Sequence, residues 1–277
     1  MATLFLRNSP FPQLHDSLLS FPKSFPSFLS TITIRPLTSA KIGGSEITEE
    51  VSESEETNVS VKKKIFVAGA TGNTGKRVVE QLLSKGFSVK AGVQADVTES
   101  STKLAEAIGD DSDAVICATG FRPGWDLTAP WRVDNFGTVN LVEACRKLSV
   151  NRFILISSIL VNGDAMGQLF NPAYIFLNVF GLTLVAKLQA EQYIRKSGIN
   201  NTIIRPGGLR NDPPAGNVVM EPEDTVYEGT ISRDQVAEVA VKCFALPESC
   251  FKVVEIVSRI DAPKRSYKDL FGSIEQS

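Results

Sequence analysis

The sequence predicts an α/β fold in which a doubly wound, mostly parallel sheet forms a single domain. Short β-branched runs alternate with helical stretches from residue 64 onward, which is typical of parallel βα units. A glycine-rich segment, Gly69 to Gly75, separates the first predicted strand from the first predicted helix. Hydrophobic residues make up 43% of the 277-residue chain and charged residues 22%, which predicts a globular domain with a buried core.

Each predicted element is a run of one of these two patterns. Strands are predicted at 64–69, 87–93, 114–118, 152–157, 201–205 and 252–257. Helices are predicted at 73–85, 100–108, 136–148, 182–197 and 232–245. The first helix carries an apolar stripe formed by Val78, Val79, Leu82 and Leu83. Gly86 follows this helix directly, and a glycine is typical of the residue after a helix.

Residues 1–44 differ in composition from the rest of the chain. They are rich in Ser, Phe and Pro, with four basic residues against one acidic residue. This composition predicts an organelle transit peptide, of the chloroplast type because Arg is outnumbered and the prolines prevent an amphipathic helix. An ordinary disordered tail is the alternative. Residues 45–60 carry six Glu and predict an acidic, disordered linker, which leaves 61–277 as the folded domain.

The composition excludes several classes of function. A formal net charge of −2 leaves no basic footprint for nucleic acid. The single histidine, His15, lies in the predicted transit peptide, so the mature domain has no histidine for a catalytic triad or a zinc site. The four cysteines form no C-x-x-C pair, so neither a metal site nor a disulfide framework is predicted. Cys117 lies in an apolar run typical of a buried strand.

The glycine-rich segment has the spacing G-x-x-G-x-x-G at Gly69, Gly72 and Gly75. Such glycines allow a tight turn, close approach of the backbone to a pyrophosphate, and close packing of the helix on the strand. The diphosphate of a dinucleotide would then lie at the helix N-terminus, where the helix dipole favours negative charge. A structural turn without a ligand is the alternative.

Several further segments accompany the glycine loop: Ala118-Thr-Gly120, Val133-Asp-Asn135, Ile156-Ser-Ser158, Ile203-Ile-Arg205-Pro206-Gly207-Gly208 and Ile231-Ser-Arg-Asp234-Gln-Val-Ala237. Together with the loop they resemble the atypical short-chain dehydrogenases/reductases of the NmrA-like branch, which are NAD(P)-binding Rossmann-fold proteins. The resemblance is closest to plant chloroplast members of that family. It extends over residues 63–260 and is specific for the fold but not for a substrate.

The resemblance implies a set of residues for the cofactor and for catalysis. NADP or NAD is the implied cofactor, with NADP favoured. The implied cofactor-binding residues are Gly69, Thr71, Gly72, Asn73, Thr74, Gly75, Asp96, Val97, Ala118, Thr119, Gly120, Asn135, Lys187, Arg205, Pro206 and Gly207. The implied catalytic residues are Ser158 and Lys187, with Tyr174 as a further candidate.

The sequence departs from this family at the catalytic tyrosine. Working reductases of the family resemble one another in a Tyr-x-x-x-Lys motif, in which Tyr is the general acid and Lys contacts the nicotinamide ribose. Lys187 occupies the lysine position, but Thr183 stands four residues before it. A threonine hydroxyl has a pKa far above the tyrosine value of about 10 and does not relay a proton comparably. Tyr174, the preceding tyrosine, would have to approach from a loop.

A second departure follows the second strand. The chain passes from Val93 almost directly to Asp96-Val97-Thr98, a triplet that resembles the family's segment beside the adenine. A parallel crossover needs a dozen or more residues, so one βα unit after strand 2 is predicted to be missing. A splice form or gene model lacking an exon would explain this, and cofactor binding would then be weak. Alternatively, Asp96 has become the acid that binds the ribose 2′-OH, which would favour NAD.

From 165 to 186 the chain carries no formal charge. A membrane span is disfavoured because Pro172 and several amide side chains interrupt this stretch. It is interpreted either as core and lining of a substrate cleft, or as an apolar surface that docks on a lipid monolayer or a protein partner. The sequence alone does not distinguish these.

Two functions follow from these observations. The first is an NAD(P)-binding chloroplast protein that lacks the usual Tyr general acid and acts as a redox-responsive binding or assembly component. It would lie in the stroma or on the thylakoid or plastoglobule surface. The alternative is an NAD(P)H-dependent reductase of an apolar plastid metabolite of the isoprenoid or quinone class.

Overall fold

A computed structural model describes residues 62–92, 96–120 and 125–275. The predicted transit peptide, the predicted linker and His15 therefore lie outside the described residues. In chain order the strands and helices are β1 Lys64–Ala68, α1 Asn73–Ser84, β2 Ser88–Gly92, α2 Ser101–Ile108, β3 Ala114–Cys117, a π-helix Trp131–Gly137, α3 Thr138–Lys147, β4 Arg152–Ile156, α4 Pro172–Val179, α5 Thr183–Lys196, β5 Asn200–Pro206, β6 Gly208–Arg210, β7 Asn217–Pro222, β8 Thr230–Ser232, α6 Arg233–Ala245, a 3-10 turn Pro247–Ser249, β9 Lys252–Arg259 and α7 Tyr267–Gly272.

Seven strands form one sheet in the order β2-β1-β3-β4-β5-β9-β7. All neighbouring pairs are parallel except β7 and β9, which are antiparallel. Strands β6 and β8 pair in a separate two-stranded sheet. The doubly wound, mostly parallel sheet predicted from the sequence is therefore confirmed, and each of the six predicted strands is present.

Helices cover both faces of the sheet, as a mostly parallel sheet requires. In β1, Ile65 and Val67 belong to an apolar cluster with α1 and α6, whereas Phe66 and Ala68 belong to a second cluster with α2, α3 and α5. This alternation along one strand follows from the two-residue period of side chains in β-structure. The carboxyl ends of β1, β3 and β4 consequently meet at one edge, where the ligands of such sheets bind.

Strand β2 is the outer strand on its side of the sheet in the described part of the chain. In the usual doubly wound order, 3-2-1-4-5-6, a third strand lies outside the second. Here β2 leads through α2 to β3, which lies on the other side of β1. The predicted loss of one βα unit after strand 2 therefore agrees with the observed topology.

The cysteines pack in the protein interior. Cys117, Cys145 and Cys243 are buried, and all four cysteines are free thiols. Burial raises the pKa of the Cys117 thiol and raises the pKa of Cys243 to about 12. Thiols of this kind behave as small apolar side chains rather than as nucleophiles. The interpretation of Cys117 as a core residue is confirmed.

Candidate functional site

The glycine loop is packed too closely to accept side chains at two of its positions. Gly69 has a φ of +74°, and a Cβ there would lie 2.8 Å from the carbonyl oxygen of Ala118. A Cβ on Gly75 would lie 2.1 Å from the carbonyl oxygen of Gly69. Helix α1 therefore begins directly against the loop backbone, and the loop lies close against the strand end of β3. This is the geometry that brings a backbone to a pyrophosphate.

The N-terminus of α1 offers its backbone amides to a ligand. Gly72 is the N-cap and provides no side-chain cap, and the first turn contains no acidic residue. The Gly72 amide donates to the Gly69 carbonyl over 2.9 Å, which closes the turn. Asn73 and Thr74 line the neighbouring cavity. A helix start of this kind attracts an anion through its amides and its dipole.

On one side of the loop lies a cavity of about 280 Å³, which we call the adenosine-side cavity. It is lined by Gly69, Thr71, Gly72, Gly92, Asp96, Val97, Ala118, Thr119, Gly120 and Val133. Asp96 is the one charged side chain among these described residues. Its Oδ1 accepts from the Thr98 amide over 2.9 Å, and this hydrogen bond lowers the pKa of the Asp96 carboxyl. The cavity therefore presents a carboxylate.

On the other side lies the central cavity of about 680 Å³, which adjoins the same loop. Ser158, Thr183 and Lys187 line it together with Asn73 and Thr119. Thr183 and Lys187 are separated by one turn of α5, so both side chains lie on the same side of that helix. The structure thus brings the predicted catalytic residues Ser158 and Lys187 into one cavity with the glycine loop. It also places a threonine where a Tyr-x-x-x-Lys motif has its tyrosine.

Lys187 is held by a carboxylate that the sequence reasoning did not single out. Its Nζ lies 2.6 Å from Oδ1 of Asp134, and the two side chains are 15% and 1% exposed. Burial lowers the pKa of Lys187 and the Asp134 carboxylate raises it, and the net result is a pKa above the ordinary lysine value. Lys187 is therefore a fixed cation. Asp134 lies in the π-helix, an irregularity that often marks functional sites.

An outer cavity of about 1020 Å³ continues from the central one. Both cavities are lined by Ser158, Leu177, Leu209 and Arg233. The outer cavity is mainly apolar, with Phe170 and Tyr227 among its lining residues. Its volume is at the upper end of the range for small-molecule sites. The adenosine-side, central and outer cavities form one continuous cleft along the carboxyl ends of the strands.

Three predicted site residues do not line this cleft. Tyr174 packs over Gly163 and joins an apolar cluster with Ile159, Leu160 and Val161, so its proposed approach to Lys187 is corrected to a packing role. The Asn135 side chain donates to the Ala186 carbonyl over 3.3 Å and to Gln189. Pro206 is buried at the end of β5. Gly207, by contrast, lines the outer cavity.

Arg205 also lies outside the cleft, because carboxylates occupy its guanidinium. It is 1% exposed and lies 2.7 Å from Glu191, 2.7 Å from Asp224 and 3.2 Å from Glu255. Burial lowers its pKa, but the carboxylates prevail and raise it. The expected cofactor contact of the Arg205 side chain is therefore corrected. The residue ties α5 and β9 to β5 instead.

Arg233 is a second site residue that the sequence reasoning missed. It lies in the segment 231–237, which was noted only as a family motif. The π-helix residue Asp134 likewise lies in a noted segment beside Asn135. A charged residue at the start of a helix or inside a helix carries no local signal of what it faces, because its partners, Leu209 and Lys187, are distant in sequence.

The uncharged stretch forms α4 and the start of α5, and much of it is exposed. Phe170 is 90% exposed and Val179 61%, with Ile175 and Phe176 also exposed. Helix α4 contains no buried residue. Among the described residues, no single helix is long and apolar enough to cross a membrane, although α4 and α5 would pass such a test as a pair bent by 86°. The stretch therefore lines the cleft and also exposes an apolar surface.

The comparisons with known proteins agree with this site. Residues 92–247 match a family described as NAD(P)H-binding. The chain is 63% identical to an uncharacterised chloroplastic protein of Arabidopsis thaliana, over 94% of this chain and 96% of that one. An oxidoreductase structure from Lactococcus lactis is 25% identical with a TM-score of 0.63, covering 76% of this chain and 95% of that chain.

Two further relatives have informative names. The chain is 33% identical to protein TIC 62 of Pisum sativum over 81% of its length, although it spans only 47% of that relative. It is 30% identical to sanguinarine reductase of Eschscholzia californica, over 78% of this chain and 97% of the relative. The chain belongs to the NAD(P)-binding atypical short-chain dehydrogenase/reductase family, in its NmrA-like branch. Within that family it is a chloroplast protein, as its chloroplastic relatives indicate.

The Arabidopsis relative also bears on the missing βα unit. The alignment spans 280 positions, more than the 277 residues of the whole chain, although only 94% of the chain takes part. The relative therefore carries residues within the aligned region that this chain lacks. The family match begins at residue 92, the last described residue of β2. Both observations agree with a loss at this point.

Proposed function

We propose that the cleft binds a nicotinamide dinucleotide and that the chain acts as a redox-responsive binding or assembly component without the usual general acid. The observation that carries this proposal is Thr183, which lies in the central cavity one turn before Lys187. With Tyr174 packed in an apolar cluster, neither predicted proton donor of the family's kind faces Lys187. The cleft retains the parts that bind a dinucleotide but lacks this part of the reductase chemistry.

The glycine loop fits a dinucleotide, because its close approaches leave the backbone bare where a Cβ would intrude. In the proposal, the amides at Gly72, Asn73 and Thr74 hold the diphosphate. Thr119 and Gly120 follow β3 beside it, and Lys187 contacts the nicotinamide ribose. When bound, the dinucleotide supplies or accepts a hydride. Asp134 keeps Lys187 charged and oriented for its contact.

The adenosine-side cavity bears on the choice between NADP and NAD. NADP is implied by the family resemblance, but its 2′-phosphate would meet the Asp96 carboxylate, and no described Lys or Arg lines this cavity. Like charges at close range oppose binding. We therefore propose weak NADP binding, with NAD bound at least as tightly through a hydrogen bond from the ribose 2′-OH to Asp96.

Helix α4 is the proposed contact surface. Phe176 lines the central cavity and is also exposed, so one helix touches both the dinucleotide cavity and the surroundings. The absence of formal charge from 165 to 186 favours a neutral lipid surface, such as a thylakoid or plastoglobule, over a charged partner. The relationship to TIC 62 makes a protein partner the competing outcome.

Flotation with neutral phosphatidylcholine vesicles tests this surface. The double substitution Ile175→Asp with Val179→Asp should abolish flotation, because both side chains are exposed on α4 and line none of the three cavities. Ile260→Asp is the matched control, since Ile260 is exposed on a different segment, and it should leave flotation unchanged. Flotation should differ between the oxidised and reduced dinucleotide. Equal flotation of all variants, or none by the natural chain, would refute the lipid assignment.

The second candidate is a reductase of an apolar plastid metabolite of the isoprenoid or quinone class. It is favoured by the similarity to sanguinarine reductase and by the apolar lining of the outer cavity. A hydride would pass to a carbon of the metabolite, and the accompanying proton would come from solvent or from Tyr227, which lines that cavity.

Titration of the full chain with NAD and NADP by calorimetry, followed by NADPH and NADH oxidation with a panel of quinones, separates the two functions. Binding without turnover supports the first function, and turnover supports the second. Loss of turnover in Lys187→Ala, but not in Tyr174→Phe, would place the reaction in the central cavity. No binding of either dinucleotide would refute both functions.

A further inference from the structure

Arg233 lies where the central and outer cavities meet and lines both of them. It is half-buried as the first residue of α6. Its Nη1 donates to the Leu209 carbonyl over 3.3 Å and to Oδ1 of Asn211 over 2.9 Å. Both acceptors are uncharged. These contacts hold the guanidinium against β6, beside the outer cavity.

The charge of Arg233 has no carboxylate partner among the described residues. The neighbouring Arg77 differs, because its Nε lies 2.9 Å from Oδ1 of Asp234. Burial and the proximity of Arg77 lower the pKa of the Arg233 guanidinium. A partly desolvated cation without a counter-ion is costly, and an anion beside it would offset that cost.

The remaining walls of the outer cavity suit an apolar molecule. Phe170, Leu177 and Leu209 contribute to its lining, and Glu228 is the one acidic residue there. Glu228 forms no ion pair with Arg233 within the part of the chain that the structure describes. A ligand that fills this cavity therefore meets apolar side chains along most of its surface and one uncompensated cation at the boundary with the central cavity.

We propose that the outer cavity binds a ligand with an apolar body and one anionic group, a carboxylate or a comparable acid, and that Arg233 binds that group. The inference rests on the proposed assignment of the central cavity to the dinucleotide. It deepens that assignment, since it names the chemical class of the second ligand. A guanidinium suits this role because its planar donors match a carboxylate in a bidentate arrangement.

The dinucleotide itself contains another anion, its diphosphate, which Arg233 could contact from the central cavity. The amides at the start of α1 already offer a site for that group, so the outer cavity is the assigned location. The two sources make different predictions. A contact with the diphosphate weakens dinucleotide binding when Arg233 is changed, whereas a contact with the second ligand leaves it unchanged.

Two fluorescent probes with the same apolar body test the proposal. The full chain, with and without saturating NAD, is titrated with 1-pyrenebutyrate and with the neutral 1-pyrenebutanol. The acid should bind about tenfold more tightly than the alcohol. Arg233→Gln should remove this preference and leave the affinity for the alcohol intact, which also reports that the variant folds. Arg233→Lys should restore part of the preference.

Arg210→Gln is the matched control, because Arg210 lies on β6 but lines none of the three cavities. It should keep the preference for the acid. Equal affinity for the two probes, or an equal preference in Arg233→Gln, would overturn the proposal. Weaker NAD binding by Arg233→Gln with the probe preference unchanged would assign the residue to the diphosphate instead. Failure of NAD to bind the natural chain would reject the dinucleotide assignment separately.

Discussion

Removing the carboxylate that holds Lys187 should destabilise the protein strongly. In Asp134→Asn, the Lys187 ammonium loses a partner at 2.6 Å while its own side chain is only 15% exposed. Breaking a buried ion pair on one side costs about 3–5 kcal/mol, because a buried charge is left uncompensated. The free energy of unfolding, measured with urea, should fall by about that amount. The natural chain should lose stability as pH rises through the lysine range.

The direction of that pH effect follows from the pKa of Lys187, which is raised in the folded protein. A raised pKa contributes stability that is fully present below the unfolded value of about 10.4 and is lost as pH rises through the folded value. In Asp134→Asn this alkaline loss should shrink. Unfolding curves recorded between about pH 8 and 11 compare the two chains.

A matched control and a double variant complete the experiment. Asp126→Asn removes the partner of Arg132 in an exposed ion pair, whose side chains are 50% and 55% exposed. Such a pair is worth about 0–1 kcal/mol. Adding Lys187→Met to Asp134→Asn removes the stranded cation and should restore most of the lost stability. Equal losses in Asp134→Asn and Asp126→Asn, or no recovery in the double variant, would refute the reasoning.

Four further predictions concern the cleft and the chain itself. Thr183→Tyr should raise NADPH-dependent quinone reduction by about 10²-fold or more, as a general acid does, whereas Thr183→Phe should not; equal rates would show that the missing acid is not the limiting feature. Asp96→Asn should tighten NADP binding relative to NAD in calorimetry, and an unchanged ratio would argue against its contact with the ribose. Gly75→Ala should abolish dinucleotide binding, because its Cβ would lie 2.1 Å from a carbonyl oxygen, while Gly272→Ala, with open space around it, should not. Transcripts read across codons 90–100 should include a longer form; a single uninterrupted junction in all of them would rule out exon loss.

Much of the fold was predictable because it depends on local patterns. The six predicted strands and the helices 73–85 and 100–108 follow from period-2 and period-3.6 patterns that the tertiary structure does not override. The short strands β6 and β8 and the antiparallel β7 were not predicted, since three-residue pairings carry too little periodicity to be recognised. The π-helix was also missed, because its irregular turn leaves no sequence pattern.

The site divides in the same way. The glycine loop was predictable from spacing alone, because the backbone conformation at Gly69 and the contact at Gly75 restrict those positions to glycine. The fates of Tyr174 and Arg205 were not. Whether a tyrosine faces a cleft or an apolar cluster, and whether an arginine meets a cofactor or carboxylates, depends on residues brought near by folding.

The sequence by itself therefore determined the doubly wound sheet, the dinucleotide loop, the threonine at 183 and the shortened crossover after strand 2. Each of these is a matter of residue type and spacing along the chain. Only the tertiary structure decided that Asp134 holds Lys187, that Arg205 is enclosed by carboxylates, and that Arg233 faces a cavity without a counter-ion. The physical reason is that the energy of a charge depends on its burial and on partners that lie distant in sequence.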